Sequence, residues 1–175
     1  VELYHSIQNI GAWPQKFAPW CLSVLSAGGT EVIPMPDRKT HLLHNRKITL
    51  WDYTKMNDSR VYWGDKYITL TQDKNGDGSF KIGLDSQHGW AAYFNHGDLL
   101  IKHFDVIEGA EYPDDGMNFE TYTNPLFLEM ESLGVYSSIE PDDCATHHES
   151  LEIVPDIKFP GIDEDKLGAI LDKLV

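Results

Sequence analysis

Residues 117–133 read MNFETYTNPLFLEMESL and contain two strand-like runs with Asn124 and Pro125 between them. The runs are rich in aromatic and β-branched residues, and the character of the side chain alternates along them, which is the period-two pattern of a β-strand. Asparagine and proline favour a turn between two such runs. The stretch therefore predicts two β-strands joined by a short turn.

Runs of the same kind recur along the whole chain, separated by glycine, proline, asparagine and aspartate. A dozen short strands favour a sandwich or barrel over an alternation of strands and helices. We therefore predict an all-β fold, an antiparallel β-sandwich. The candidate strands are residues 2–9, 16–25, 30–33, 47–51, 67–72, 80–84, 90–94, 99–104, 117–122, 127–133, 135–139 and 145–154.

One α-helix is predicted at the C-terminus. Three acidic residues at positions 163–165 place negative charge at its start, where the helix dipole is positive. Leucine and isoleucine at positions 167, 170, 171 and 174 follow with the 3.6-residue spacing of an amphipathic helix. We expect residues 1–154 to form the sandwich and residues 155–175 to form a linker and a helix that packs on the outside of a sheet.

The 175 residues carry 28 acidic and 14 basic side chains, a formal net charge of −14. A chain with this charge repels phosphate backbones and anionic lipids, so nucleic acids and membranes are not expected partners. The longest mostly apolar run, residues 17–25, is shorter than a bilayer span. The two cysteines and eight histidines show no zinc-ligand spacing, and no targeting signal indicates a cellular compartment.

Glu129 and Glu131 share one face of the predicted strand Phe127–Leu133, because side chains two residues apart point the same way. Two carboxylates about 7 Å apart raise each other's pKa, which can keep one of them protonated near neutral pH. Such a pair suits acid–base chemistry. A solvated sheet face without a function explains the same pattern, and both interpretations stay open.

Asn118, Glu120 and Tyr122 share a face of the preceding run, residues 117–122. Asparagine and glutamate offer directed donors and acceptors, and tyrosine adds a flat apolar surface with a polar tip. This mixture suits the binding of a polar ring such as a sugar. Ordinary surface polarity is the alternative.

Lys102 shares its strand face with apolar neighbours in the run LLIKHF. A lysine in such a position either extends its amine outward to water or pairs with a carboxylate. If it pairs, the expected counter-charges are Glu120, Glu129 and Glu131.

Five aromatic residues are candidates for sugar-stacking platforms: Trp51, Trp63, Trp90, Tyr93 and Tyr112. Packing in the core is the alternative for each of them. Trp90 and Tyr93 belong to the run at residues 90–94. His96 follows in a hairpin tip, from which an imidazole can reach a pocket.

The segment DKNGDGS resembles the first half of a calcium-binding loop, with Asp73, Asn75 and Asp77 at the first three ligand positions and glycine at the sixth. Leu84 stands where the bidentate glutamate is needed, so the ligand set is incomplete. A weak calcium site and a plain hairpin turn both fit, and no other cofactor is indicated.

Several segments together resemble a known family in order and spacing. They are HSIQNIGAWPQKFAPWCLSVLSAGG, WGDKYITL, GWAAYFNHGDLLIKHF, EYPDDGMNFETYTN, FLEMESLG and IEPDD. The resemblance covers residues 1–153 and is to an uncharacterised bacterial family of the galactose-mutarotase-like (aldose 1-epimerase-like) superfamily. It implies a large antiparallel β-sandwich that binds carbohydrate on a concave sheet, and a domain of which this chain is the C-terminal part.

The resemblance also implies roles for particular residues. In the enzymes of the superfamily a glutamate acts as base on the anomeric hydroxyl and a histidine acts as acid on the ring oxygen. Glu129 matches the glutamate, but residues 18–22, which align with the strand that carries a histidine, contain Pro19 and Trp20 and no histidine. Lys102 and His96 are the candidates to replace that acid.

Three functions follow as hypotheses. The leading one is a protein that binds a small carbohydrate on a sheet face, and the second is a mutarotase or epimerase with Glu129 as the base. The third is a structural half-domain, either a homo-oligomer or a chain lacking an N-terminal segment, that associates through exposed sheet edges.

Overall fold

A computed structural model describes residues 1–175. The chain forms fourteen strands and one regular helix. They are β1 Glu2–Gln8, β2 Gln15–Phe17, β3 Trp20–Ser26, β4 Thr30–Pro34, β5 Ile48–Leu50, β6 Val61–Trp63, β7 Tyr67–Thr71, β8 Phe80–Leu84, β9 Trp90–Asn95, β10 Asp98–Phe104, β11 Phe119–Thr123, β12 Phe127–Leu133, β13 Ser137–Ile139, β14 Cys144–Val154 and α1 Glu164–Leu171.

Two antiparallel sheets form the sandwich. The larger sheet has the strand order β1-β14-β10-β9-β4-β7-β6, and the smaller has the order β3-β12-β11-β8-β5. Strands β2 and β13 form a separate two-stranded ribbon. The predicted all-β antiparallel sandwich with a C-terminal helix is confirmed.

The number of strands is fourteen instead of the predicted twelve, and two differences account for this. Residues 16–25 form two strands instead of one, and Pro19, which lacks a backbone N–H, lies between them. Strand β6 was not predicted, because three residues are too short to show an alternating pattern.

The main core lies between the two sheets. Strand β8 contributes Phe80, Ile82 and Leu84, each fully buried. Phe104 of the larger sheet stacks on Phe119 of the smaller one, with the ring centroids 5.2 Å apart. Burial of these apolar side chains is the main force that holds the two sheets together.

Helix α1 covers the other face of the larger sheet. Its Leu167 and Leu171 are buried there, and Asp163 caps the helix by accepting hydrogen bonds from the backbone N–H groups of Asp165 and Lys166. Because these leucines pack on the outside of the larger sheet, the predicted position of the helix is confirmed.

The regular helix α1 has eight residues, which is too few to span a membrane.

Trp90 and Tyr93 lie in the core, which corrects their prediction as sugar-stacking residues. Trp90 packs beneath α1 and Tyr93 points between the sheets. The Tyr93 hydroxyl donates to the carbonyl of Ser26 at 2.7 Å and accepts from the N–H of Gly29 at 3.0 Å. Both rings are used in packing and neither is free to stack on a ligand.

Candidate functional site

The outer face of the smaller sheet carries the candidate site. Antiparallel pairing places Glu120 of β11 directly opposite Glu131 of β12, and Tyr122 opposite Glu129. Residues directly opposite each other in neighbouring strands point to the same face. The side chains of these four residues, which were predicted as two separate pairs, therefore lie together on one surface.

Lys81 of β8 joins the two carboxylates Glu120 and Glu131. Its Nζ lies 2.7 Å from Glu120 Oε2 and 2.8 Å from Glu131 Oε2. All three side chains are buried, so these charge-assisted hydrogen bonds are little screened by water. We call these three residues the Lys81 cluster.

Two tryptophans flank the ammonium group of Lys81. Its Nζ lies 4.9 Å from the ring centroid of Trp20 and 4.8 Å from that of Trp51, which are cation–π distances. The indole Nε1 of Trp20 also donates to Glu131 Oε2 at 2.7 Å. Trp20 is nevertheless 55% exposed, so much of its ring is accessible to a ligand.

Two carboxyl groups of this face, those of Glu120 and Glu129, have raised pKa values. Burial raises the pKa of Glu120 to about 7; Lys81 opposes this shift, and the carboxyl groups of Asp114 and Glu131 add to it. Burial, and then the charge of Glu131, also raise the pKa of Glu129. The mutual effect predicted for the pair Glu129 and Glu131 is thus present at Glu129.

Two carboxylate oxygens of the Lys81 cluster have no hydrogen-bond partner. Glu120 Oε1 and Glu131 Oε1 are both buried and unpaired, while the other oxygen of each group binds Lys81. A buried acceptor without a partner costs about 1–3 kcal/mol. A ligand hydroxyl group that donates to these oxygens would remove this cost.

A cavity of about 350 Å³ lies above the cluster, and Trp20, Trp51, Lys81, Glu120 and Tyr136 are among its lining residues. The turn Pro113–Gly116 forms part of its wall and brings Asp114 to it. Two consecutive aspartates of this turn have left-handed backbone conformations, with φ angles of 49° and 65°. Such conformations cost energy and occur often at functional sites.

Asn118 does not belong to this surface. It is fully buried just before β11, where its Oδ1 accepts from the N–H of Ser86 at 2.7 Å and its Nδ2 donates to the Ser86 carbonyl at 2.9 Å. Both ends of the amide are therefore used to hold a neighbouring loop. This corrects the prediction of Asn118 as a sugar ligand.

Lys102 lies inside the sandwich and pairs with a different carboxylate from the three predicted. Its Nζ is 2.8 Å from Glu149 Oε2 and donates to the Cys21 carbonyl at 3.1 Å and to Ser23 Oγ at 3.0 Å. Glu120, Glu129 and Glu131 are on the opposite face of the smaller sheet. Lys102 therefore takes no part in the candidate site, which corrects its prediction as an acid there.

His96 also lies apart from the cluster. It occupies the hairpin between β9 and β10 with a φ of 55°, and its Nε2 is 3.0 Å from Ser26 Oγ. It lines a different cavity, of about 230 Å³. Since its partner is Ser26, the structure does not place it with Glu129 as the predicted acid.

The calcium-like segment DKNGDGS forms a turn to which the side chain of Arg60 donates a hydrogen bond. Asp73 Oδ1 accepts from the N–H of Asn75 at 2.8 Å, and Asp77 points outward toward Lys55. The guanidinium of Arg60 donates to the Gly78 carbonyl at 3.0 Å, so a positive charge already lies beside this turn. The calcium site stays a prediction.

Sequence reasoning missed Lys81 and did not single out Trp20 as a ligand. Lys81 interrupts an apolar strand, FKIGL, and this is the same signal that drew attention to Lys102 in LLIKHF. The alternation of a strand shows which residues share a face but not which face points to the core. A lysine in an apolar strand therefore marks a position worth examining. Only the packing of the sheets shows whether that lysine lies in the core or on the outer face.

Comparisons of the chain with models of protein families, with curated proteins and with solved structures find no match. Membership of the galactose-mutarotase-like superfamily stays a prediction from the motifs, and so does association through sheet edges. The geometry of the Lys81 cluster and its cavity is therefore the basis for a proposed function.

Proposed function

We propose that the cavity above the Lys81 cluster binds a small carbohydrate. The observation that carries the proposal is the pair of buried, unpaired oxygens Glu120 Oε1 and Glu131 Oε1 beside an ammonium group and two indole rings. Sugar hydroxyl groups donate hydrogen bonds to carboxylates, and the C–H faces of a sugar ring pack on aromatic rings. Glu120 and the two indole rings line one cavity, so both kinds of contact are available to a ligand there.

The size and charge of the cavity narrow the class of sugar. Its volume of about 350 Å³ lies at the lower end of the range of about 300–1,000 Å³ for small-molecule pockets, which suits a mono- or disaccharide. The charged residues that line the cavity are two acids, Glu120 and Asp114, and two lysines, Lys16 and Lys81, so the lining has no excess of positive charge. The whole chain carries a net charge of −14. We therefore expect neutral sugars to bind better than sugar acids.

Replacement of a tryptophan in the cavity tests the proposal. Titration with galactose, glucose and glucuronic acid, followed by tryptophan fluorescence and calorimetry, is expected to show saturable binding of a neutral sugar. Trp51→Ala should weaken it at least about tenfold, because the ring contributes contact area to the bound sugar. Trp13→Ala is the matched control, since Trp13 is 75% exposed and is not among the residues that line the cavity. Flat titrations at high millimolar sugar, or equal losses in the two variants, contradict the proposal.

A second function, sugar mutarotation, is favoured by one specific observation. The pKa of Glu120 is raised to about 7, so this carboxyl group can exchange protons near neutral pH, and the pKa of Glu129 is also raised. General acid–base catalysis is most efficient with groups of this kind. Glu120 lines the cavity, whereas Glu129 lies on the same sheet face outside the cavity lining, so mutarotation requires a sugar that extends from the cavity toward Glu129. The two functions differ in whether the bound sugar is converted.

Exchange NMR of the two anomers of a bound sugar distinguishes these functions. If the protein is a mutarotase, it accelerates exchange, and Glu129→Gln lowers the rate about 100-fold or more because the base is lost. Glu108→Gln, at an exposed position, should leave the rate unchanged. Exchange that is no faster than in buffer, or equal in wild type and Glu129→Gln, excludes mutarotation by Glu129 and leaves binding alone.

A further inference from the structure

A second group of chemically reactive side chains lies between the edges of the two sheets. His5 comes from β1 and Glu149 from β14 of the larger sheet, and Cys21 comes from β3 of the smaller sheet. One ligand-type atom of each residue lies within 4.8 Å of the other two. The separation between His5 Nε2 and Glu149 Oε1 is 3.3 Å. The fold thus brings an imidazole, a thiol and a carboxylate to one point.

The carboxylate of this group is already held in place. Glu149 Oε2 accepts from Ser132 Oγ at 2.6 Å and lies 2.8 Å from Lys102 Nζ. Its other oxygen, Oε1, therefore faces His5. Metal-binding carboxylates are commonly oriented by hydrogen bonds of this kind on the oxygen that does not bind the ion.

The group is also accessible from solvent on one side. Cys21 and Glu149 are buried, but the side chain of His5 is 35% exposed. His5 lines a cavity of about 400 Å³ together with His147, His148 and Asp105. Of the three residues, His5 is the one that lines this cavity, so an ion that enters from solvent meets His5 first. A water molecule on this side would complete a four-coordinate site.

We propose that His5 Nε2, Cys21 Sγ and Glu149 Oε1 bind a transition-metal ion of the zinc class. Sulfur and nitrogen ligands together select zinc or cobalt(II), whereas calcium and magnesium require oxygen ligands. In a tetrahedral site with bonds of about 2.0–2.3 Å the ligand atoms lie about 3.3–3.8 Å apart, so closure from 4.8 Å requires a movement of about 1 Å. This site is independent of the carbohydrate cavity.

The chemistry of binding involves no change of oxidation state. The S–H bond of Cys21 breaks as the metal–sulfur bond forms, and the proton leaves to solvent. The thiolate and the carboxylate together balance the charge of a divalent ion. Lys102 remains on the other carboxylate oxygen, so its ion pair with Glu149 is kept.

Cobalt(II) is the probe that tests the site, because its bond to a thiolate gives a charge-transfer absorption in the near ultraviolet. The full chain, freed of metal by a chelator, is expected to bind one equivalent of Co²⁺ with this absorption and to lose it when one equivalent of Zn²⁺ is added. Calorimetry with Zn²⁺ gives the affinity and the stoichiometry. A proton-release measurement in two buffers should show about one proton released per ion bound.

Three variants make the test specific. Cys21→Ser and His5→Gln are each expected to weaken Zn²⁺ binding at least about 100-fold, because each removes a ligand. Cys144→Ser, which changes the exposed free cysteine, should bind as wild type does. His5→Gln changes a partly exposed side chain, so it tests the site even if Cys21→Ser does not fold, which circular dichroism reveals. No thiolate absorption in wild type, unchanged affinity in His5→Gln, or loss of absorption in Cys144→Ser overturns the proposal.

Discussion

Lys102→Met is expected to lower the free energy of unfolding by about 3–5 kcal/mol. The ammonium group of Lys102 is fully buried between the sheets and lies 2.8 Å from Glu149 Oε2. Methionine has a similar length but no charge, so the variant leaves the Glu149 carboxylate buried without its counter-ion. Removal of one partner of a buried ion pair is among the most destabilising single changes in proteins.

Urea unfolding followed by circular dichroism measures this loss. Lys66→Met is the matched control, because Lys66 pairs with Asp165 at the same distance of 2.8 Å but at the exposed surface. Its replacement should leave the free energy of unfolding unchanged within error. The double variant Lys102→Met with Glu149→Leu should recover much of the loss, since no unpaired charge remains. Equal stability of Lys102→Met and wild type would show that the buried pair contributes nothing to the fold.

Glu31→Gln is expected to remove a large part of the pH dependence of stability between about pH 4.5 and pH 8. Glu31 is fully buried between the sheets, and its pKa is raised to about 8, chiefly by burial. The hydrogen bond that Thr121 Oγ1 donates to Oε2 at 2.6 Å and the charge of Lys102 lower the pKa, and the charge of Glu131 raises it. Tyr93, directly opposite on β9, is the other titratable neighbour.

The sign of the effect follows from the two pKa values of Glu31. The folded protein holds the proton up to about pH 8, whereas the unfolded chain releases it near pH 4.5. Its stabilising contribution is therefore complete below pH 4.5, decreases as the pH rises, and is lost above about pH 8. The loss between these limits is on the order of a few kcal/mol.

Unfolding free energies of wild type and Glu31→Gln at pH 5 and pH 9 measure this effect. Glutamine cannot ionise, so the variant should gain stability relative to wild type at pH 9 and lose less between the two pH values. Glu108→Gln, at an exposed position, should follow wild type at both. Parallel pH profiles for wild type and Glu31→Gln would show that the buried carboxyl is not protonated in the folded state.

The two proposed sites use opposite faces of the same two strands. Trp20 of β3 points to the cavity above the Lys81 cluster, and the next residue, Cys21, points to the group of His5, Cys21 and Glu149. Glu131 of β12 likewise belongs to the Lys81 cluster, and the next residue, Ser132, holds Glu149. Successive side chains of a strand point to opposite faces, so one sheet can carry two sites without sharing a residue.

Local sequence pattern was sufficient for the fold class and for much of the site surface. Alternation along the strands and the spacing of leucines near the C-terminus predicted the sandwich and its helix. The same alternation placed Glu129 and Glu131 on one face, and Glu120 and Tyr122 on another, and the strand register then joined the two pairs. These properties depend on neighbours within a few residues, which the sequence contains directly.

Asn118 shows where local pattern stops being informative. Its spacing matches that of Glu120 and Tyr122, but it lies before β11 begins and is buried against Ser86. A strand's alternation applies only within the strand, and strand ends are the least certain feature of a sequence-based prediction. One residue beyond the end is enough to direct a side chain into a loop contact.

The all-β class of this chain and the sets of side chains that share a strand face both follow from spacing within a few residues. The positions of the two lysines do not: both interrupt apolar strands, yet packing leaves Lys81 between two tryptophans on the outer face and buries Lys102 between the sheets. The tertiary structure alone brings His5, Cys21 and Glu149 together from distant parts of the chain. The physical reason is that the partner of a buried charge is chosen by the pairing and packing of strands far apart in sequence, which no local pattern contains.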